Sequence, residues 1–196
     1  MSDKIEAETA YKLYKLYAPE YLGYASLVDQ NLFYKSNLEL LNIQEQDTIL
    51  DISSERGDII HLLPASCSYY GLEKNSDIVN TAYLKNTELI AKILNLDFVD
   101  YPIITNYHHI LALKYFHSLC NTSSDFESEY NLKTIKYTLD KIYYAVTEDF
   151  IFTLPKDYQY LLHIINYCLE KFKDLRVVYS SSNLVTIKIS KNTKTW

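Results

Sequence analysis

The chain has 196 residues, 48% of them hydrophobic and 22% charged, with a formal net charge of −6. That size and balance predict one globular domain with its own core and exclude a disordered chain. With only two arginines, Arg56 and Arg176, the cations needed to displace counterions from a polyanion are sparse, so nucleic acid is not an expected partner.

The elements follow in chain order. Ala7 to Leu27 reads as helix, with Tyr11, Tyr14, Tyr17, Tyr21 and Tyr24 recurring every three or four residues, as on one helical face, and Pro19 dividing it into two helices. A third helix covers roughly Leu32 to Leu41. The first strand, Thr48 to Ile52, ends at Asp51. A tight turn containing Gly57 and a short apolar helix lead to a second strand, Ser68 to Leu72, followed by Glu73. A short third strand falls before Asp97, and a fourth, Tyr107 to Leu111, precedes helical sequence from Lys114. A helix from Glu127 to Tyr144, a fifth strand from Asp149 to Leu154 and a helix from Asp157 to Phe172 come next. Arg176–Ser180 and Leu184–Ser190, joined through Ser181, Ser182 and Asn183, read as an antiparallel hairpin. Strands linked through helices predict a parallel sheet with right-handed crossovers.

Cys67, Cys120 and Cys168 form no C-x-x-C pair and read as buried reduced thiols. His61, His108, His109, His117 and His163 make no metal-ligand spacing, so no metal is expected. No apolar run approaches the roughly 20 residues that cross a bilayer. The first ten residues lack a signal-peptide pattern, and a cytoplasmic location with no membrane partner is expected.

The segment from Thr48 to Lys74 carries the functional signal. An apolar strand, an acid, a turn, a second strand and a second acid is the order with which α/β proteins build a ligand cleft at the carboxyl ends of parallel strands. With the closing hairpin, the chain from about Tyr34 to Ile189 resembles the class I S-adenosylmethionine-dependent methyltransferases. Ile49-Leu50-Asp51-Ile52 matches the start of that family's first motif. Ser53, Glu55 and Gly57 stand at its three glycine positions, and only the last is glycine. Tyr70-Gly71-Leu72-Glu73 matches the second motif, with Asn75-Ser76-Asp77 opening the next helix. Asp97-Phe98 falls at the adenine position. Tyr107 to Leu113 occupies the fourth motif without a D/N-P-P-Y/F sequence, so an amino-methylating nucleic-acid enzyme is not indicated.

The resemblance implies an α/β, three-layer, Rossmann-like fold. Its sheet is seven-stranded and mostly parallel, with a C-terminal antiparallel hairpin. Residues 1–44 would form an N-terminal helical cap and residues 45–196 the core of a single methyltransferase-like domain. It implies S-adenosylmethionine as cofactor, held by Asp51, Ser53, Glu55, Gly57, Glu73, Asp97, Phe98 and Leu113. Glu73 would accept from the ribose hydroxyls, Asp97 from the adenine amino group, and Asp51 would face the ammonium, with Leu72, Phe98 or Leu113 against the adenine. Each acid has a plainer reading: Asp51 as a helix cap, Glu73 as a solvated strand-end acid, Asp97 as a solvated loop acid. Glu55 either points inward, where a like charge 4 Å away costs roughly 4 kcal/mol at an effective dielectric near 20, or turns outward, or pairs with Arg56. Tyr115 and His117 are the candidate catalytic residues at the rim; His117 also reads as structural. Two functions stay open. One is an active methyltransferase on a small molecule or protein site. The other is a methyltransferase-like binding or scaffold protein whose partner meets a surface rich in the chain's 20 tyrosines.

Overall fold

The computed structural model describes residues 15–120, 125–172, 174–179 and 183–191. Helix α1 (Leu27–Leu38) precedes strand β1 (Thr48–Asp51), β2 (Ser68–Leu72), helix α2 (Ser76–Lys85) and β3 (Ile93–Leu94). Strand β4 (Tyr107–Ala112) is followed by α3 (His117–Cys120), α4 (Asp125–Ala145), β5 (Val146–Pro155), α5 (Leu161–Lys171), β6 (Asp174–Tyr179) and β7 (Leu184–Ser190). The strands form one seven-stranded sheet in the order β3-β2-β1-β4-β5-β7-β6. The first five in that order run parallel. Strand β7 is antiparallel to both β5 and β6.

The strands read as apolar runs because helices cover both faces, as buried parallel sheets require. Alternate residues feed two cores. Leu50, Ile110, Phe150 and Phe152 pack with Ile135, Leu139 and Ile142 of α4 and with Ile164 and Cys168 of α5. Ile49, Leu111 and Ile151 face the other way, onto Tyr34 and Leu38 of α1 and Val79 and Ala82 of α2. Order reverses at β1: β2 pairs on one side and β4 on the other. This switch point leaves a crevice at the carboxyl ends of those strands.

Several local expectations are corrected. The first crossover holds a 3-10 turn, Asp58–Leu62, where a short helix is expected. Pro64 follows so closely that only one turn forms before it, and the residue ahead of a proline disfavours helical backbone. Tyr11 and Tyr14, and Ser181 and Ser182 of the hairpin loop, lie outside the described residues. Of the remaining tyrosines, Tyr17 is half-buried, Tyr21 is exposed and Tyr24 is buried beyond Gly23, so these three do not share a helix face. Pro19 does break the segment. It opens a 3-10 turn, Pro19–Leu22, that ends at Gly23 with φ of 81°. Helix α1 starts five residues earlier than expected, because Ser26 caps it by accepting from the Asp29 N–H.

Gly71 lets the turn after β1 lie against β2. A Cβ there would meet Ser54 Cβ and Oγ at 2.8 Å and Ile93 Cγ1 at 2.9 Å. Gly71→Ala is therefore expected to lower stability by about 1–3 kcal/mol, read as a fall in the urea midpoint; an unchanged midpoint would show that Ser54 yields freely.

Candidate functional site

At the carboxyl ends of β1, β2 and β4 lies a cavity of about 200 Å³, lined by Ile52, Ser53, Glu73, Lys74, Leu96, Asp97, Lys114, Tyr115 and Ser118. Ser53, Glu73, Asp97 and Tyr115 among the sequence candidates thus come together in one lining. Asp51, at the end of β1, and Glu55 and Gly57, in the turn after it, do not line the cavity. Phe98 and Leu113 are buried, one in each of the two cores. His117 turns its Nε2 to Thr153 Oγ1 at 3.1 Å.

Glu73 is 9% exposed. Its Oε1 accepts from Asn75 N–H at 2.8 Å and its Oε2 from Glu55 N–H at 3.2 Å. Each oxygen keeps a further lone pair for a ligand hydroxyl. Burial raises the acid above the ordinary carboxylate range, and those two N–H groups pull it back. Asp97 Oδ1 accepts from Tyr115 OH at 2.6 Å and Val99 N–H at 3.2 Å. Burial first, then that bond to Asp97, push the Tyr115 hydroxyl well above its ordinary pKa, so it stays protonated and donates.

Glu55 points inward. Its Oε2 accepts from Tyr34 OH at 2.7 Å and Tyr24 OH at 3.3 Å, and its Oε1 lies 3.4 Å from Lys114 Nζ. Burial raises its pKa while Lys114 and the tyrosines lower it. Of the expected arrangements the inward one holds, and the pairing with Arg56 does not, because Arg56 pairs with Asp58 at 3.0 Å instead. Lys114 Nζ also donates to Leu22 O and sits 4.0 Å from the Tyr24 ring centroid. Sequence reading missed Lys114, whose only signal is its place two residues after the fourth strand. It missed Tyr34 too, which no local pattern marks.

Asp51 lies behind the cavity wall. Its Oδ1 accepts from Ser53 N–H at 3.3 Å and its Oδ2 from Tyr69 OH at 3.1 Å. Desolvation dominates those bonds and pushes its pKa up to about 7, helped by Glu55 and Glu73. His117 is held down to about 4 by burial and by Lys114, so its ring is neutral at pH 7 and a weak base. The arrangement offers acceptors to a ligand's hydroxyl and amino groups and two ammonium groups, Lys74 and Lys114, in the same lining.

No protein-family model and no curated protein sequence matches the chain. Solved structures do. The chain is similar to the N-methyltransferase NodS from Bradyrhizobium japonicum WM9, at 12% identity and TM-score 0.60, over 82% of this chain and 95% of that one. It is also similar to magnesium protoporphyrin IX methyltransferase (ChlM) from Synechocystis PCC 6803, solved with bound SAM, at 11% identity and TM-score 0.60, over 94% and 92% of the two chains. A methyltransferase from Pyrococcus furiosus matches with TM-score 0.60 at 11% identity, over 82% of each chain. The chain therefore has the class I S-adenosylmethionine-dependent methyltransferase fold; at these identities the likeness concerns the fold.

Because Asp51 keeps its proton to higher pH in the folded chain than in the unfolded one, its stabilising contribution is complete below about pH 4. That contribution is lost as pH rises through about 7. Asp51→Asn should remove ~4 kcal/mol of the wild-type decline in unfolding free energy between those limits. Urea titrations at pH 4, 5.5 and 8 check this; parallel curves for the two proteins would contradict it.

Proposed function

We propose that the chain is a S-adenosylmethionine-dependent methyltransferase acting on a small molecule or a protein site. The observation that carries the reading is the pair Glu73 and Asp97, both lining one cavity at the sheet's switch point. The donor set fits the cofactor. Glu73 would hold the ribose hydroxyls, Asp97 the adenine amino group, and Ile52 and Leu96 supply apolar walls. Asp51 in its ionised form would balance the ammonium, and Lys114 would take the carboxylate. Bound there, the cofactor supplies a methyl group on a positively charged sulfur.

A cavity of about 200 Å³ is smaller than the roughly 300–1,000 Å³ of sites that enclose a whole small molecule. The contacts of Lys114 with Glu55 and Leu22 form the wall that yields when a longer ligand enters. Lys114 would then stand between the carboxylate of Glu55 and that of the ligand, and its positive charge would offset their repulsion. Neither Tyr115, held protonated, nor His117, held neutral and weakly basic, is a strong base. The acceptor that suits this rim is a nucleophile already carrying a free electron pair, such as a neutral amine, for which positioning suffices.

The second reading is a binding or scaffold protein on the same fold, working through a protein partner. It is favoured by one observation, that Tyr24, Tyr34 and Lys114 already satisfy Glu55 from within the chain. Exposed Tyr130, Tyr137 and Tyr144 offer contact area to that partner. Methyl turnover by the isolated chain excludes this reading, whereas cofactor binding without turnover on any acceptor supports it.

Calorimetry with S-adenosylhomocysteine should give saturable binding that Glu73→Ala weakens at least 100-fold; no heat and no thermal shift at millimolar ligand would overturn the cofactor assignment. Lys114→Met should weaken S-adenosylhomocysteine at least tenfold yet leave adenosine affinity unchanged. Equal losses for both ligands would place Lys114 away from the carboxylate.

A further inference from the structure

At the opposite, amino-terminal end of the sheet, three neighbouring strands bring together residues that are far apart in sequence. Asp47 immediately precedes β1, His109 lies in β4 and Glu148 in β5. We propose that Asp47, His109 and Glu148 form a site for one divalent first-row transition-metal ion, Zn²⁺ being the best probe. Their ligating atoms all lie within 4.8 Å of one another. His109 Nε2 is 3.1 Å from Asp47 Oδ2 and 3.8 Å from Glu148 Oε2. A tetrahedral ion about 2.1 Å from each ligand sets nitrogen and oxygen ligands roughly 3.4 Å apart, and the two observed separations bracket that value.

Charge and burial point the same way. His109 is 0% exposed and Asp47 is 7% exposed. Among the described residues, the ion pairs of both carboxylates run only to His109. The nearby cations are committed elsewhere: Lys188 to Asp149 at 3.1 Å, and Lys191 Nζ to the carbonyls of Tyr143 and Val146. Asp47 is held in place by Gln44 N–H at 2.6 Å. The Nδ1 of His109 is buried without a partner, so no second interaction fixes which ring nitrogen carries the proton. Without an ion, Nε2–H donates to Asp47. An ion would take the Nε2 lone pair and leave Nδ1 as the ring's donor. Glu148, whose side chain is 33% exposed, gives the ion a route in and leaves water a fourth position. Imidazole and carboxylate donors suit Zn²⁺, Co²⁺ or Mn²⁺ better than Ca²⁺. The ion would tie β1, β4 and β5 together at the end of the sheet remote from the cleft, and this inference does not rest on the cofactor assignment.

The test uses the full chain stripped with a chelator and titrated with Zn²⁺ and Co²⁺. One equivalent of Zn²⁺ should bind, and a hundredfold excess over its Kd should raise the unfolding temperature by about 5–10 °C. Co²⁺ should give the visible absorption of a four-coordinate site. Glu148→Gln and Asp47→Asn should each weaken Zn²⁺ at least tenfold and remove the Co²⁺ signal, while Cys67→Ser keeps both. No stoichiometric binding overturns the proposal, as does wild-type affinity in both carboxylate variants, or loss of binding in Cys67→Ser alone.

Discussion

Burial of Arg56 constrains everything around the cleft. Its guanidinium is 1% exposed, and a charge so far from water is tolerable only when its N–H groups find acceptors. Asp58 takes Nε at 3.1 Å, Gln30 of α1 takes Nη2 at 3.4 Å, and the carbonyls of Leu16 and Tyr17 take Nη1. Lys85 also reaches Asp58 from α2, and Gln30 Nε2 donates to that carboxylate at 3.2 Å. The segment before α1, α1 itself, α2 and the turn after β1 therefore meet at one ion pair. Removing one partner from such a pair typically costs 3–5 kcal/mol because the other charge is left buried and unmatched.

Arg56 also decides where its neighbour points. Gln30 and Tyr34 stand four residues apart on one face of α1, so anchoring Arg56 to the first places the second over Glu55, which bonds to it at 2.7 Å. Glu55 and Gly57 take φ of 50° and 70°, and Lys114 takes 63°. Two non-glycine residues in left-handed backbone on facing loops mark stored strain of the kind found at ligand sites. The outcome is three buried carboxylates, Asp51, Glu55 and Glu73, around a single turn. All three have raised pKa values from burial, with Lys114 reaching one of them. The cleft is thus an electrostatic balance held by tertiary contacts, and a cationic ligand group would relieve it.

Much of the fold was legible because the strands are short apolar runs bounded by acids and turn residues. Ile49 to Asp51 and Tyr69 to Glu73 announce both their burial and their ends. Asn75 marks the start of α2 by its side chain, and accepts from Asp77 N–H at 2.9 Å. The N-terminal tyrosines misled, since a periodicity of three to four residues presumes one continuous helix, and Pro19 and Gly23 reroute the backbone between Tyr17 and Tyr24. Glu73 and Asp97 were legible as site candidates through the motifs of the family resemblance, and Tyr115 because it follows a strand of a parallel sheet, whose carboxyl ends face the crevice. Lys114 and Tyr34 were not, since their roles depend on partners tens of residues away.

The sequence by itself determined the α/β layering, the closing hairpin and the placing of acids at strand ends, because hydrophobic period and turn chemistry act over a few residues. Only the tertiary structure decided that Glu55 faces inward, that Arg56 turns to Asp58, and that Asp47, His109 and Glu148 converge across three strands. Those outcomes come from desolvation and from pairing between distant segments. A buried charge must find its partner wherever the packed chain puts one, and no local pattern encodes where that will be.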